Sequence, residues 1–211
     1  MQPIDAIFYI VILIMSVVVH EFSHGYMAYR LGDNTAFHSG RLTLNPIKHL
    51  DPIGSVLLPF ILIISHSSFV VGWARPVPYN PNNLRDKKYG EMLVAFAGVF
   101  ANLVIALIFG LLIRFGYLLG LGVYSPDLPF YKISSTIVLL NLVLAVFNLV
   151  PIPPLDGSKV LFSFLPFKYR YIETFMEKWG IIFLLIFIIA FRSQIAVLVY
   201  FLFGILTGIM Y

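Results

Sequence analysis

Three residues near the amino terminus could do chemistry together. They are His20, Glu21 and His24, in the stretch VVVHEFSHGY over residues 17–26. Positions 20 and 24 are one helical turn apart, so their imidazoles share a face with Cβ atoms about 5–6 Å apart. That spacing lets two imidazoles bind one metal ion. Glu21 borders the same face, and its carboxylate can reach a water on the metal without being a ligand. This is the H-E-x-x-H arrangement of two zinc ligands and a general base. Its setting is unusual, because apolar chain runs on both sides: AIFYIVILIMSVVV before it and GYMAYRL after it. Ionisable groups inside a membrane helix are costly and generally have a partner or a function. The rival explanation is a polar cluster that holds helices together by hydrogen bonds.

A catalytic zinc takes three protein ligands and keeps one position for water. The chain has no cysteine, so the third ligand must be His, Asp or Glu. His38, His49 and His66 lack a matching spacing and read as surface or interfacial histidines. Glu91 starts an apolar segment, and Asp127 lies between two others. Asp156 stands apart, in FNLVPIPPLDGSKV. Pro151, Pro153 and Pro154 strip backbone donors and break the helix, and Gly157 permits a turn. A broken helix puts a carboxylate on irregular backbone inside a bundle, as at binding sites of membrane proteins. The competing reading is a Pro-rich loop whose exposed Asp caps a short helix. Asn148, eight residues earlier, suits either a hydrogen bond to a developing oxyanion or one between helices. Asn102 and Asn141 read as packing amides.

Composition says what must carry these groups. Of 211 residues, 60% are hydrophobic and 11% charged, against about 25% charged in a soluble domain. The fold class expected is an all-α polytopic membrane protein with about five or six membrane segments. Strong spans are expected over residues 6–31, 91–117 and 134–165, the last broken by PIPPLDG. Two more are expected over 178–191 and 194–210, separated by Arg192-Ser193-Gln194. Residues 53–72 read as a re-entrant or broken hairpin turning near Pro59, although a single crossing also fits their length. The Pro-rich stretch ARPVPYNP reads as a short extended hairpin or loop near 72–80. A single membrane domain over 1–211 follows, with its core in 6–165 and accessory C-terminal helices in 172–211. The net charge of +4 reads as topology-setting loop charge rather than nucleic-acid binding.

Basic residues orient the chain. Arg30, Arg41 and Lys48 follow the first span. Arg75, Arg85, Lys87 and Lys88 precede the second, and Lys159, Lys168, Arg170 and Lys178 follow the Pro break. Lys and Arg favour the cytoplasmic side. The N-terminus is then outside, the first and third strong spans run parallel, and both chemical motifs lie toward the cytoplasm.

HEFSH in a first span and NLVPIPPLDG in a later one resemble the site-2 protease family, the intramembrane zinc metalloproteases. SGRLTLNPIKHLDPIGS, GWARPVPYNP and AFAGVFANL are similar to the small subgroup without a PDZ domain. Val99 follows Gly98 where the family often has proline. The resemblance implies His20, His24 and Asp156 as ligands of one Zn2+ per chain, Glu21 as the base, and Asn148 as a contact to the substrate carbonyl. The reaction implied is hydrolysis of peptide bonds in or near transmembrane segments of membrane proteins, within the lipid bilayer of the cell membrane. An extended edge near 72–80 could hold an unwound substrate strand. The rival functions are a catalytically silent membrane scaffold and a metal or ion transporter; the intact Glu21 speaks against the first, and the lack of internal repeats against the second.

Overall fold

Residues 3–57, 61, 74–120, 125 and 128–209 are described in the computed structural model. Six α-helices are found among them. α1 is Pro3–Arg30 and α2 the short Thr35–His38. α3 is Gly90–Arg114, α4 is Pro129–Asn148 and α5 is Asp156–Phe164. α6 is Arg170–Thr207. No strand occurs among the described residues. Four helices, α1, α3, α4 and α6, are long and apolar enough to cross a membrane. The expected segment at 53–72 lies mostly outside the described residues; its first part, Pro52–Leu57, forms a π-helical turn.

α3 is the central helix and packs against α1, α4, α5 and α6. Ala106 and Ile113 of α3 meet Tyr131, Val138 and Leu142 of α4 and Val199 and Phe203 of α6 in one buried cluster. Side-chain contacts at the helix ends give the directions. Lys132 and Asp5 pair at 2.6 Å, joining the starts of α4 and α1. The Arg114 guanidinium donates to the Ile205 carbonyl at 2.6 Å, joining the ends of α3 and α6. Ala28 near the end of α1 packs with Val94 near the start of α3. α1 and α4 are therefore parallel, as expected from charge, with α3 and α6 antiparallel to them.

One expectation is corrected. The two C-terminal spans are a single helix of 38 residues, about 57 Å long at 1.5 Å per residue. Arg192-Ser193-Gln194 interrupts the apolar pattern but not the backbone. No proline or glycine lies between Ile181 and Phe203, and Arg and Gln are good helix formers. A break in polarity is not a break in hydrogen bonding.

The expected break in the third span is present. α4 ends at Asn148 and α5 starts at Asp156, because three prolines between them cannot donate. Gly157 makes the reversal possible: a Cβ there would stand 2.3 Å from the Leu149 carbonyl oxygen and 2.6 Å from that of Val150.

Candidate metal centre and catalytic carboxylate

α1 presents His20 and His24 one turn apart, with Glu21 beside them. The kink after α4 delivers Asp156 to the same place, 136 residues along the chain. All three side chains are buried, with 6% of His20, 8% of His24 and 8% of Asp156 exposed. His20 Nε2 and His24 Nε2 are 3.0 Å apart. Asp156 Oδ2 is 3.1 Å from each of them. Three ligand atoms around a tetrahedral zinc at about 2.0–2.2 Å stand roughly 3.3–3.5 Å from one another. The triangle here is close to that size. The donor set, two imidazole nitrogens and one carboxylate oxygen, is that of a catalytic rather than a closed structural zinc site.

The outer edges of the rings support the fit. His24 Nδ1 faces the Val94 backbone carbonyl at 2.7 Å. A carbonyl only accepts, so the Nδ1 proton points outward and the Nε2 lone pair inward. Metal-ligating histidines are generally held in this way by a second partner. His20 Nδ1 faces Asn102 Oδ1 of α3 at 2.5 Å. Gly98, one turn before Asn102, leaves room for both rings. A Cβ there would come within 2.6 Å of His24 Nε2 and 2.8 Å of His20 Cε1.

Glu21 belongs to the cluster without joining the triangle. One ligand atom from each of His20, Glu21 and His24 lies within 4.8 Å of the others. Glu21 Oε2 accepts the backbone N–H of Val77 at 2.9 Å. Val77 sits in a strap, residues 74–80, that is irregular rather than paired as a strand. Its N–H groups point back at the protein: Arg75 donates to the His49 carbonyl and Asn80 to Asp33 Oδ2. Pro76 and Pro78 have no N–H. Three donors of the expected substrate-holding edge, those of Arg75, Val77 and Asn80, are thus engaged within the protein, and that of Val77 orients Glu21.

Asp33 anchors that strap. It is fully buried and accepts from the Thr35 hydroxyl, the Thr35 and Asn80 N–H groups and the Asn83 amide. Burial pushes its carboxyl up, but the hydrogen bonds from Thr35, Asn83 and Asn80 outweigh this and hold it below the usual range. No helical spacing within α1 marked Asp33, since its partners lie beyond that helix: Thr35 opens α2, and Asn80 and Asn83 are 47 and 50 residues away.

Asn148 lies at the last turn of α4, and its amide donates to its own helix, to the Leu144 carbonyl at 2.9 Å. Asn102 and Asn141 join α3 and α4 by a hydrogen bond of 2.7 Å, the packing role expected of them, and Asn102 also touches the His20 ring. Amides 82 residues from their partner carry no local signal. His49 is corrected from surface to core, 1% exposed, with Nε2 donating to the Thr43 carbonyl. His38 is exposed as expected, and His66 lies outside the described residues.

Comparison with known proteins bears on most of the chain. It is 40% identical over 198 residues to YwhC of Bacillus subtilis (strain 168), covering 92% of this chain and 86% of that protein. Residues 124–191 match the model of Peptidase family M50. The chain belongs to peptidase family M50. It is also 31% identical over 179 residues to Rip2 of Mycolicibacterium smegmatis, covering 83% of this M50 chain and 64% of Rip2. The zinc metalloprotease MJ0392 of Methanocaldococcus jannaschii is 26% identical over 166 residues, 78% of this chain and 36% of MJ0392. No solved structure matches.

Proposed function

We propose that this M50 chain is a zinc metalloprotease that hydrolyses peptide bonds in or near the transmembrane segments of membrane proteins. One observation carries the reading: Nε2 of His20, Nε2 of His24 and Oδ2 of Asp156 converge at 3.0–3.1 Å, with Glu21 beside them. His20, His24 and Asp156 hold one Zn2+. When bound, zinc polarises the scissile carbonyl and brings the pKa of a water toward about 7. Glu21 takes a proton from that water and returns it to the leaving amine. The Val77 N–H holds Oε2 of Glu21 and so fixes the carboxylate beside the two histidines. Asn148 spends one amide N–H on Leu144; the second is available to a developing oxyanion.

The site's position supports intramembrane work. His20 is ten residues, about 15 Å, from the end of α1 at Arg30. Arg30, Arg85, Lys87, Lys88 and Arg170 flank that same end of the helices. By the preference of Lys and Arg for the cytoplasm, the site lies toward the cytoplasmic side of the cell membrane. A substrate helix satisfies its backbone internally, so it unwinds locally before attack.

The test pairs metal content with cleavage of a membrane-protein substrate by the detergent-purified chain. Wild type carries about one zinc per chain and cleaves. Glu21→Gln keeps the zinc and loses about 10²–10⁴-fold in cleavage rate. Wild-type protein without stoichiometric zinc, or a Glu21→Gln variant that still cleaves, removes the reading.

A further inference from the structure

A buried chain of side chains leads away from His20, and its polarity can be read from one end. Asn141 Nδ2 donates to the Ile137 backbone carbonyl at 2.9 Å and to Ser16 Oγ at 2.9 Å. A backbone carbonyl accepts only. The nitrogen of Asn141 must therefore face Ile137, and its oxygen faces the other way. That oxygen lies 2.7 Å from Asn102, which must present its own nitrogen there. The oxygen of Asn102 is then the atom 2.5 Å from His20 Nδ1. An oxygen acceptor at that place requires Nδ1 to carry the proton. The neutral His20 ring thus has its lone pair on Nε2, facing Asp156 and His24.

We propose that Asn102 and Asn141 are positioning residues for the metal centre: they relay the acceptor of the Ile137 carbonyl across α4 and α3 and lock His20 into the ligating tautomer. The inference rests on the zinc reading above for its purpose. Its geometry stands alone. His24 obtains the same result in one step, from the Val94 carbonyl at 2.7 Å. His20 has no such carbonyl to hand and uses two amides instead. Burial makes the relay strict. Asn102 and Asn141 are 0% exposed and Ser16 is 5% exposed, so water does not substitute for a wrongly turned amide. Turning either amide would set two nitrogens or two oxygens face to face, and each unmade buried bond is costly.

Two measurements on the full-length, detergent-purified chain decide the matter. The first is zinc affinity by chelator competition. Asn102→Leu removes the acceptor and should weaken zinc by about 10–100-fold, the usual effect of losing a second partner of a ligand histidine. Asn141→Leu does not touch His20, yet it leaves only the long 3.5 Å bond from Asn102 Nδ2 to the Ser16 carbonyl to hold that amide's orientation. It should weaken zinc in the same direction by a smaller factor. A purely structural amide would lower thermal stability and leave zinc affinity unchanged, and that outcome in folded variants overturns the proposal. The second needs no destabilised variant. In zinc-stripped wild type carrying 15N-histidine, with His20 assigned by comparison with His20→Gln, the neutral ring should show a protonated Nδ1. A neutral ring with its proton on Nε2 and a bare Nδ1 overturns the proposal, because Nδ1 must donate to Asn102. Wild type that takes up no zinc sinks the functional reading but leaves this 15N result to judge the relay.

Discussion

Two regions of the molecule have similar hydropathy and opposite roles. Around His20, the interiors of α1, α3 and α4 hold Ser16, His20, His24, Asn102 and Asn141, all buried. Along α6, Ile181, Ile182, Leu185, Ile186, Ile189 and Val197 are all exposed. Only Gly180, Val199, Phe203 and Thr207 of that helix are buried. A soluble protein would reverse this arrangement. In a bilayer the apolar face costs nothing to expose, so burial is free to go to groups that need exclusion from lipid. Polar side chains are held inside because each finds a partner there. Density of hydrogen bonding, rather than apolar burial, therefore marks the region where chemistry is placed.

The contrast can be broken most severely at Asp156. Replacing it with Ala removes one corner of the triangle and leaves two lone pairs without their third partner. Zinc should be lost on dialysis and cleavage should fall to background, measured by metal content and substrate turnover. Retained stoichiometric zinc would show that the third ligand lies elsewhere. Gly98→Val is next. Its side chain would collide with both imidazoles, and overpacking of this kind costs about 1–3 kcal/mol. Zinc affinity and thermal stability should fall together, whereas Gly120→Val, strained by a φ of +74° but with open space around its Cβ, should lower thermal stability and leave zinc affinity unchanged.

Asp33 tests the strap rather than the metal. Asp33→Ala leaves the part-buried donors of Thr35, Asn80 and Asn83 without their acceptor and should cost about 1–3 kcal/mol. It should also slow cleavage with zinc still bound, because the strap that orients Glu21 is loosened. The effect carries a pH signature. The folded carboxyl sits below its ordinary 3.8, so its stabilisation is complete above that value and is lost as the pH falls below it. The difference in Tm between wild type and Asp33→Ala should shrink on acidification below 3.8; a constant difference would place the stabilisation in packing. Smallest of all should be Ile186→Ala on the lipid-facing side of α6, within about 0.5 kcal/mol. A large loss there would mean that α6 is covered by protein.

How much was legible in advance differs between these two regions. The span of α1, the break at Pro151–Pro154 and the parallel run of α1 and α4 could be read from pattern, proline chemistry and charge. The continuity of α6 could not, because Arg192-Ser193-Gln194 resembles a loop in polarity while obeying helical geometry. His49 looked like a surface histidine because its loop is polar; the fold turns that loop inward and gives its ring the Thr43 carbonyl.

Residue types and local spacing determined that His20, Glu21 and His24 share a helix face, since the helical repeat is a local property of the backbone. They also determined that Asp156 would sit on a broken helix, since proline removes donors wherever it stands. Only the tertiary structure decided which acceptor faces each imidazole and which donor holds Glu21. Those partners, Asn102, Val94 and Val77, are 82, 70 and 56 residues away from the groups they orient. Which of them meets which depends on how helices pack, and no spacing within one segment encodes that.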